Sequence, residues 1–324
     1  LIHYSQGIIC KENALIKRGF VERFETYFLN NTEIKLTEKS TDFLEKENIK
    51  LVNKKGDDSK CHILPEKLAK KKLFFNEIEK KQLDLISNSL KGQKFVELQK
   101  RLESKALPTG VAVLLHGAPG TGKTESVYQI AKATGRGIIK VDISQTKSMW
   151  FGESEKIIKK VFTDYEEIRK KSKKCPILFF NEADAVISRR KDTASSNVAQ
   201  TENAIQNILL EELENFKGIL FATTNLADNL DKAFERRFLF KVDFSFPDEI
   251  VRANIWKSKL KGFSSSNYSV LANEFSFSGG QIDNIVRKAE LFEVVEGRKA
   301  HIAEIRNWCG EELINKKNNI KIGF

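Results

Sequence analysis

The sequence predicts an α/β protein: a parallel sheet with helices on both faces, followed by a small all-α unit. Three observations lead there. Short apolar runs alternate with helical patterns between about residues 105 and 247. One of those runs leads straight into the glycine-rich stretch "GAPGTGKT", which opens a helix. After Pro247 the strand signal fades and the pattern is helical. Strands separated by helices pair in parallel through crossovers, and the crossovers cover both faces of the sheet.

The elements follow in order. Residues 1–50 read as a separate unit: "ALIKRG" ends a helix at Gly19, and "FVERFETYF" and "EIKLT" flank Asn30-Asn31 as a two-stranded wing. "TEKSTDFL" then resumes as a helix. Residues 51–104 are Lys-rich and helical, a basic linker with "GDDS" as an exposed break. Across 105–247, Val111–Leu115, Gly137–Val141, Ile177–Phe180, Ile219–Ala222 and Leu239–Val242 read as buried strands. Ile157, Ile158, Val161, Phe162, Tyr165 and Ile168 recur at helical spacing between them. So do Ala204, Ile205, Ile208, Leu209, Leu213 and Phe216, with Gly218 as a stop. Residues 248–324 read as the helical subdomain, with Ile282, Ile285, Val286, Ala289 and Leu291/Phe292 giving one amphipathic helix.

Composition narrows the classes. The 324 residues allow two or three domains, and 40% hydrophobic with 31% charged residues describe a soluble globular chain. No apolar run approaches the ~20 residues of a membrane helix, so no membrane partner is expected. The chain opens on Leu1 without a secretory pattern, and is expected to be part of a longer one, working in the cytoplasm. Cys10, Cys61, Cys175 and Cys309 form no CxxC pair, which suits a reducing compartment and argues against a zinc ribbon. The absence of HExxH removes a metalloprotease site. Net charge is +11, and residues 50–105 hold 15 Lys/Arg against 8 Asp/Glu. That surplus fits an acidic partner or nucleic acid, and equally fits solvated helix faces.

Four stretches carry chemistry. In GxxxxGK[ST], which here runs Gly117, Ala118, Pro119, Gly120, Thr121, Gly122, the glycines let backbone N–H groups turn inward around phosphates. Lys123 reaches the β/γ-phosphates, Thr124 places its hydroxyl on Mg²⁺, and Glu125 follows in the first turn of a helix whose positive end faces the phosphates. ATP and Mg²⁺ are the cofactors this implies. "CPILFFNEADAV" ends a buried strand at Asn181-Glu182, where Glu182 can orient or deprotonate an attacking water; alone, it could equally be an acid favoured at a helix start. "LFATTN" ends another strand at Asn225, whose amide can reach a γ-phosphate or the lytic water. "DKAFERRF" sets Arg236 and Arg237 side by side before a strand, either as a cation for a transferring phosphoryl group or as a structural ion pair.

In this order the four stretches resemble Walker A, Walker B, sensor 1 and the arginine finger of the AAA+ ATPases, over roughly residues 75–300. The resemblance implies a five-stranded parallel sheet of order 5-1-4-3-2. It also implies a ring, a hexamer, with ATP between subunits and Arg236 or Arg237 acting in trans. "SMWFGESE" resembles the pore loop of AAA unfoldases, with Trp150 and Phe151 gripping a protein client; two buried aromatics are the alternative. "FSGGQIDNIVRKA" resembles the sensor-2 helix, which implies that the backbone of Gly279 and Gly280 lies close to the nucleotide. Arg287 falls nearer the mid-helix arginine of AAA lids. In the Walker B pattern the first acid holds the magnesium water shell. Asn181 stands there, which implies weaker Mg²⁺ binding with Glu182 intact. The FNEADA variant with "QTENAIQN" is similar to a group of bacterial AAA ATPases. "LIKRGFVERF…IKLTEKSTDFL" resembles the end of a winged helix, or a plain helix–hairpin–helix module.

Three functions stay open at this point: an ATP-driven protein remodeller, a DNA-associated ATPase switch using the N-terminal segment and basic linker, and a nucleotide-binding structural protein with little turnover.

Overall fold

The computed structural model describes residues 17–25, 32–37, 39–40, 43, 62–142, 154–188, 197–226 and 230–313. The pore-loop pair Trp150 and Phe151 lies outside them. Near the start, β1 (Val21–Glu25) and β2 (Thr32–Leu36) pair antiparallel, Val21 opposite Leu36 and Glu25 opposite Thr32. Gly19 precedes them at φ +69°.

The main sheet has six strands, one more than expected. Five are parallel: β4 (Val111–Gly117), β5 (Ile138–Asp142), β6 (Ile177–Asn181), β7 (Ile219–Thr224) and β8 (Phe240–Phe244). Their spatial order, β5-β6-β7-β4-β8, is the expected 5-1-4-3-2 read from the other edge. The sixth, β3 (His62–Ile63), pairs antiparallel with β5 through His62–Ile139 and Ile63–Ile138, so the sheet is mixed. Two residues are too short to show a period of 2 in a Lys-rich stretch, which is why this edge was not legible.

Strand alternation sorts the apolar residues onto two faces. In β7, Ile219 and Phe221 point to one core and Leu220 and Ala222 to the other; in β6, Ile177 and Phe179 oppose Leu178 and Phe180. The first face is covered by α1 (Glu77–Ser89), α2 (Gly92–Ser104) and α3 (Lys123–Thr134), with Leu83, Ile86, Leu90, Phe95, Val127 and Ile130 in its core. Thus most of the basic 51–104 stretch that is described packs on the sheet. The second face is covered by α4 (Ser154–Lys171) and α6 (Asn197–Asn215), with α5 (Asp184–Ile187) and α7 (Lys232–Arg237) closing its upper edge. Phe162 sits edge-on to both Phe180 and Phe216 there. Truncating the fully buried Phe179 or Phe221 to Ala would cost about 3–5 kcal/mol.

The helical subdomain has its own core. Four helices, α8 (Glu249–Lys259), α9 (Ser265–Glu274), α10 (Gly279–Glu296) and α11 (Ile302–Glu312), enclose Trp256, Leu271, Phe277, Ile282, Ile285 and Ile305. Side chains cap three of the starts, Asp248 on Val251 N, Ser264 on Asn267 N and Ser278 on Gln281 N. Among the described residues no helix is long and apolar enough to cross a membrane.

Candidate nucleotide site

Parallel β6, β7 and β4 are neighbours, so their carboxyl ends share one edge of the sheet: Phe180 pairs with Ala222, and Leu115 with Thr223. Ligands of open α/β sheets bind at such an edge. Here a cavity of about 440 Å³ opens between this edge and the helical subdomain. Pro119 to Glu125, Glu182, Thr223 to Asn225, Gly279 and Gly280 line it.

The loop after β4 is built for close approach. Gly117, Gly120 and Gly122 have φ +126°, +74° and +100°, which a side chain would strain. A Cβ on Gly117 would also lie 2.3 Å from the Phe244 carbonyl oxygen of the neighbouring strand. At the loop's end Lys123 opens α3 and is buried, with Nζ donating to Gly117 O (2.8 Å) and Ala118 O (2.7 Å). Burial pushes its ammonium down to about 8, and the Asp184 carboxylate opposes part of that drop. Thr124 Oγ1 donates to Asn181 Oδ1 at 3.0 Å. Glu125 lines the cavity, but its carboxylate is paired with Lys71 Nζ at 2.7 Å and accepts from Gln129 Nε2 at 2.9 Å.

Glu182 has φ +53°, a left-handed conformation rare outside glycine and found at functional sites. Two bonds from β7 hold it: Glu182 N donates to Thr223 Oγ1 (3.1 Å) and Ala183 N to Thr223 O (2.8 Å). Asp184 completes this joint, accepting from Thr224 Oγ1 and, at 3.1 Å, from Asn225 N. It stands in the quoted "NEADA", yet its role needs β7 beside it to be visible. Asn225 is exposed at the cavity edge.

The helical subdomain closes the loop side. Gly280 N donates to Gly120 O at 2.8 Å, and a Cβ on Gly280 would come within 3.0 Å of Gly120 Cα. Gly279 lies beside it. Arg287, further along α10, is exposed and outside the cavity. Arg236 and Arg237 are outside it too. Arg237 is bound at home, to Glu214 (3.3 Å) and to Ala233 O (3.4 Å). Arg236 is exposed and makes no ion pair among the described residues.

One further wall of the cavity was not anticipated. It is lined by Lys71 to Phe75, Glu79, Ser245, Pro247 and Ile255. A strap of chain crosses α3 there, fixed by Lys132 to Leu68 O and by Gln129 to Ala69 O and Lys71 N. Phe75 then packs edge-on against Phe244, with centroids 5.8 Å apart, while Phe74 packs on the helical core. Nothing in the local sequence marks this wall, because its parts meet only in the fold.

Comparison with known proteins agrees. Residues 113–246 match the model of the ATPase family associated with various cellular activities (AAA). Cell division protein C of Sulfolobus acidocaldarius is 30% identical over 190 residues, 57% of this chain and 50% of that protein. The proteasome-activating nucleotidase of Sulfurisphaera tokodaii is 32% identical over 219 residues, covering 64% and 54%. The 26S proteasome regulatory subunit 7 of Caenorhabditis elegans is 32% identical over 217 residues, covering 63% and 47%. These three are archaeal and eukaryotic, where a bacterial group was expected. The chain spans about half the length of these three relatives. Among solved structures, the AAA domain of FIGL-1 in complex with ADP aligns with 82% of this chain and 89% of its own, at TM-score 0.57 and 19% identity. Residues 113–246 are therefore similar to the ATPase domain of the AAA family, and the fold they lie in is the AAA fold.

Proposed function

We propose that this cavity binds ATP with Mg²⁺ and hydrolyses it, and that the chain works as a ring, a hexamer by its family likeness, to remodel protein clients. One observation supports the hydrolytic part: three stretches far apart in sequence bring Lys123 and Thr124, Glu182, and Asn225 to one cavity roofed by Gly280, with Asn181 accepting from Thr124 behind it.

The residues fit both cofactors. The positive φ of Gly117, Gly120 and Gly122 curls the loop so that backbone N–H groups can face a phosphate chain, and side chains at Gly117 and Gly120 would collide with Phe244 and Ser278. The Thr124 hydroxyl and Asn181 amide oxygen are hard donors suited to magnesium and its water shell. Among the described residues no cluster of three or more His, Cys, Asp or Glu could hold a metal, so a cation here leans on phosphate oxygens and water as well. When bound, magnesium supplies positive charge to the phosphoryl oxygens. Lys123 exchanges its two loop carbonyls for the β/γ-phosphates. Glu182, turned by its left-handed backbone, orients the water and accepts its proton. Asn225, with its backbone held by Asp184, presents its amide to the γ-phosphate. Asn181 accepts hydrogen bonds without adding negative charge, so magnesium is held more weakly than by a carboxylate.

Of the two arginines we assign the trans role to Arg236, since Arg237 is engaged by Glu214 in its own subunit. ATPase rate per subunit, measured against protein concentration, should rise as rings form. Arg236→Ala should lose about a thousandfold or more of that rate. A flat concentration dependence, or an Arg236→Ala rate equal to wild type, would remove the shared site.

The antiparallel pair β1–β2 gives a specific reason to keep nucleic acid as a second reading, because it lies where the sequence places a wing. Binding to duplex DNA should then fall steeply with salt. Part of the basic surplus has another use, however: Lys71 and Lys72 line the nucleotide cavity.

A further inference from the structure

The wall of the cavity formed by the strap, Ser245–Pro247 and α8 contains a polar node that the hydrolytic machinery does not use. Glu79 lies in the first turn of α1 and, as a residue, is only 5% exposed. It accepts four hydrogen bonds. Oε1 takes Ser245 Oγ (2.8 Å), Ser245 N (3.1 Å) and Asn76 Nδ2 (3.1 Å), and Oε2 takes Asn76 N (3.2 Å). Asn76, the residue before α1, extends the node. Its Nδ2 also reaches Phe246 O (3.2 Å), and its Oδ1 accepts from Asp248 N (2.9 Å). Asp248 is itself the residue before α8.

Two helix starts from different subdomains are thereby tied head to head across the connection Ser245–Asp248. The tie sits between the two parts of this wall. On one side is the strap Leu73–Phe75, which leads into Asn76. On the other is α8, which presents Ile255 to the cavity. A buried carboxylate that lost a donor would bear a desolvation cost, so the node favours a single spacing of the two parts.

We propose that Glu79 and Asn76 are positioning residues that set the width of the slot receiving the nucleoside part of the nucleotide, while the glycine loop holds the phosphates independently. This rests on the reading of the cavity as a nucleotide site. The node touches no phosphate-binding group, so its loss should separate recognition of the base and ribose from recognition of the phosphates. A general loss of structure would not.

The test is equilibrium binding of ATP and of inorganic tripolyphosphate, both with magnesium, to wild type, Glu79→Gln, Asn76→Ala and Lys123→Ala. In Glu79→Gln an amide can keep the three bonds to Oε1, but its NH₂ then faces Asn76 N–H. In Asn76→Ala the link to Asp248 is lost. Both variants should bind ATP about tenfold more weakly and tripolyphosphate within about twofold of wild type. Lys123→Ala should weaken both ligands. ATP affinity unchanged in the two node variants would overturn the positioning role alone. So would equal losses for the two ligands, or failure of both variants to fold. A wild-type chain that binds neither ligand, or Lys123→Ala binding both as tightly as wild type, would overturn the nucleotide reading and the slot with it.

Discussion

Two walls of the cavity are built by opposite means. The phosphate wall comes from one contiguous stretch, Gly117–Glu125, whose backbone conformation makes the site: three positive-φ glycines, a helix start and a buried lysine. The other wall comes from side chains and strap residues spread from Lys71 to Ile255, with no shared motif, brought together by packing and by the Glu79 node. A backbone-made site is local and therefore legible in a sequence. A site made by tertiary contact is not, because each of its residues has an ordinary alternative use. The same contrast predicts different failures: the phosphate wall should break for every phosphorylated ligand, the other wall only for nucleosides.

The largest break belongs to Lys123. Lys123→Ala should reduce affinity for ATP and ADP at least about a hundredfold, because Lys123 is the cation buried against the loop carbonyls. Isothermal titration reads this directly, and a loss under threefold would move the phosphates elsewhere.

A smaller effect separates folding from binding by pH. The Lys123 ammonium, ordinarily near 10.5, titrates at about 8 in the folded chain. The unfolded chain therefore binds more protons between about 8 and 10.5. Over that window the ligand-free fold should gain stability from this group as pH rises, since the cost of burying a charge disappears. Nucleotide affinity should move the other way, falling above about pH 8 as the cation is lost. Parallel melting and binding curves check both signs; affinity level up to pH 10 would contradict the buried-lysine picture.

The smallest effect tests Asn181. Asn181→Asp should lower the magnesium concentration for half-maximal activity several-fold, about 1 kcal/mol or less of added attraction beside Thr124. It should leave nucleotide affinity without metal unchanged or slightly weaker. An unchanged magnesium requirement would mean that the amide serves the metal's water shell as well as a carboxylate does.

How much was legible follows the same division. Four of the five core strands were readable because each is a mostly buried apolar run; "ILFFNE" and "LFATTN" show both the strand and its functional end, whereas the fifth, read as buried over Leu239–Val242, is an alternating strand with Lys241, Asp243 and the preceding Leu239 exposed. β3 was unreadable because two residues carry no periodicity, and its pairing with Ile138–Ile139 exists only in the sheet. Asp184 was visible as a residue but not as a joint, since its acceptance of Thr224 and Asn225 depends on β6 and β7 being neighbours. Arg236 and Arg237 were indistinguishable as a pair of letters; Glu214, on α6, separates them. "KKLFF" read as part of a basic linker because lysines mark solvated surface more often than a cavity wall. Phe74 and Phe75 point into two different cores that the sequence alone does not place side by side.

The central claim is that Glu182, held in its left-handed turn by Thr223, carries out hydrolysis in a site whose metal side is an amide. The most direct measurement is single-turnover ATP hydrolysis at raised Mg²⁺, with enzyme in excess, for wild type and Glu182→Gln. The expected result is turnover by wild type, with the variant binding ATP normally but hydrolysing it about a hundredfold or more slowly. Equal rates would contradict the claim and leave Glu182 without a catalytic role.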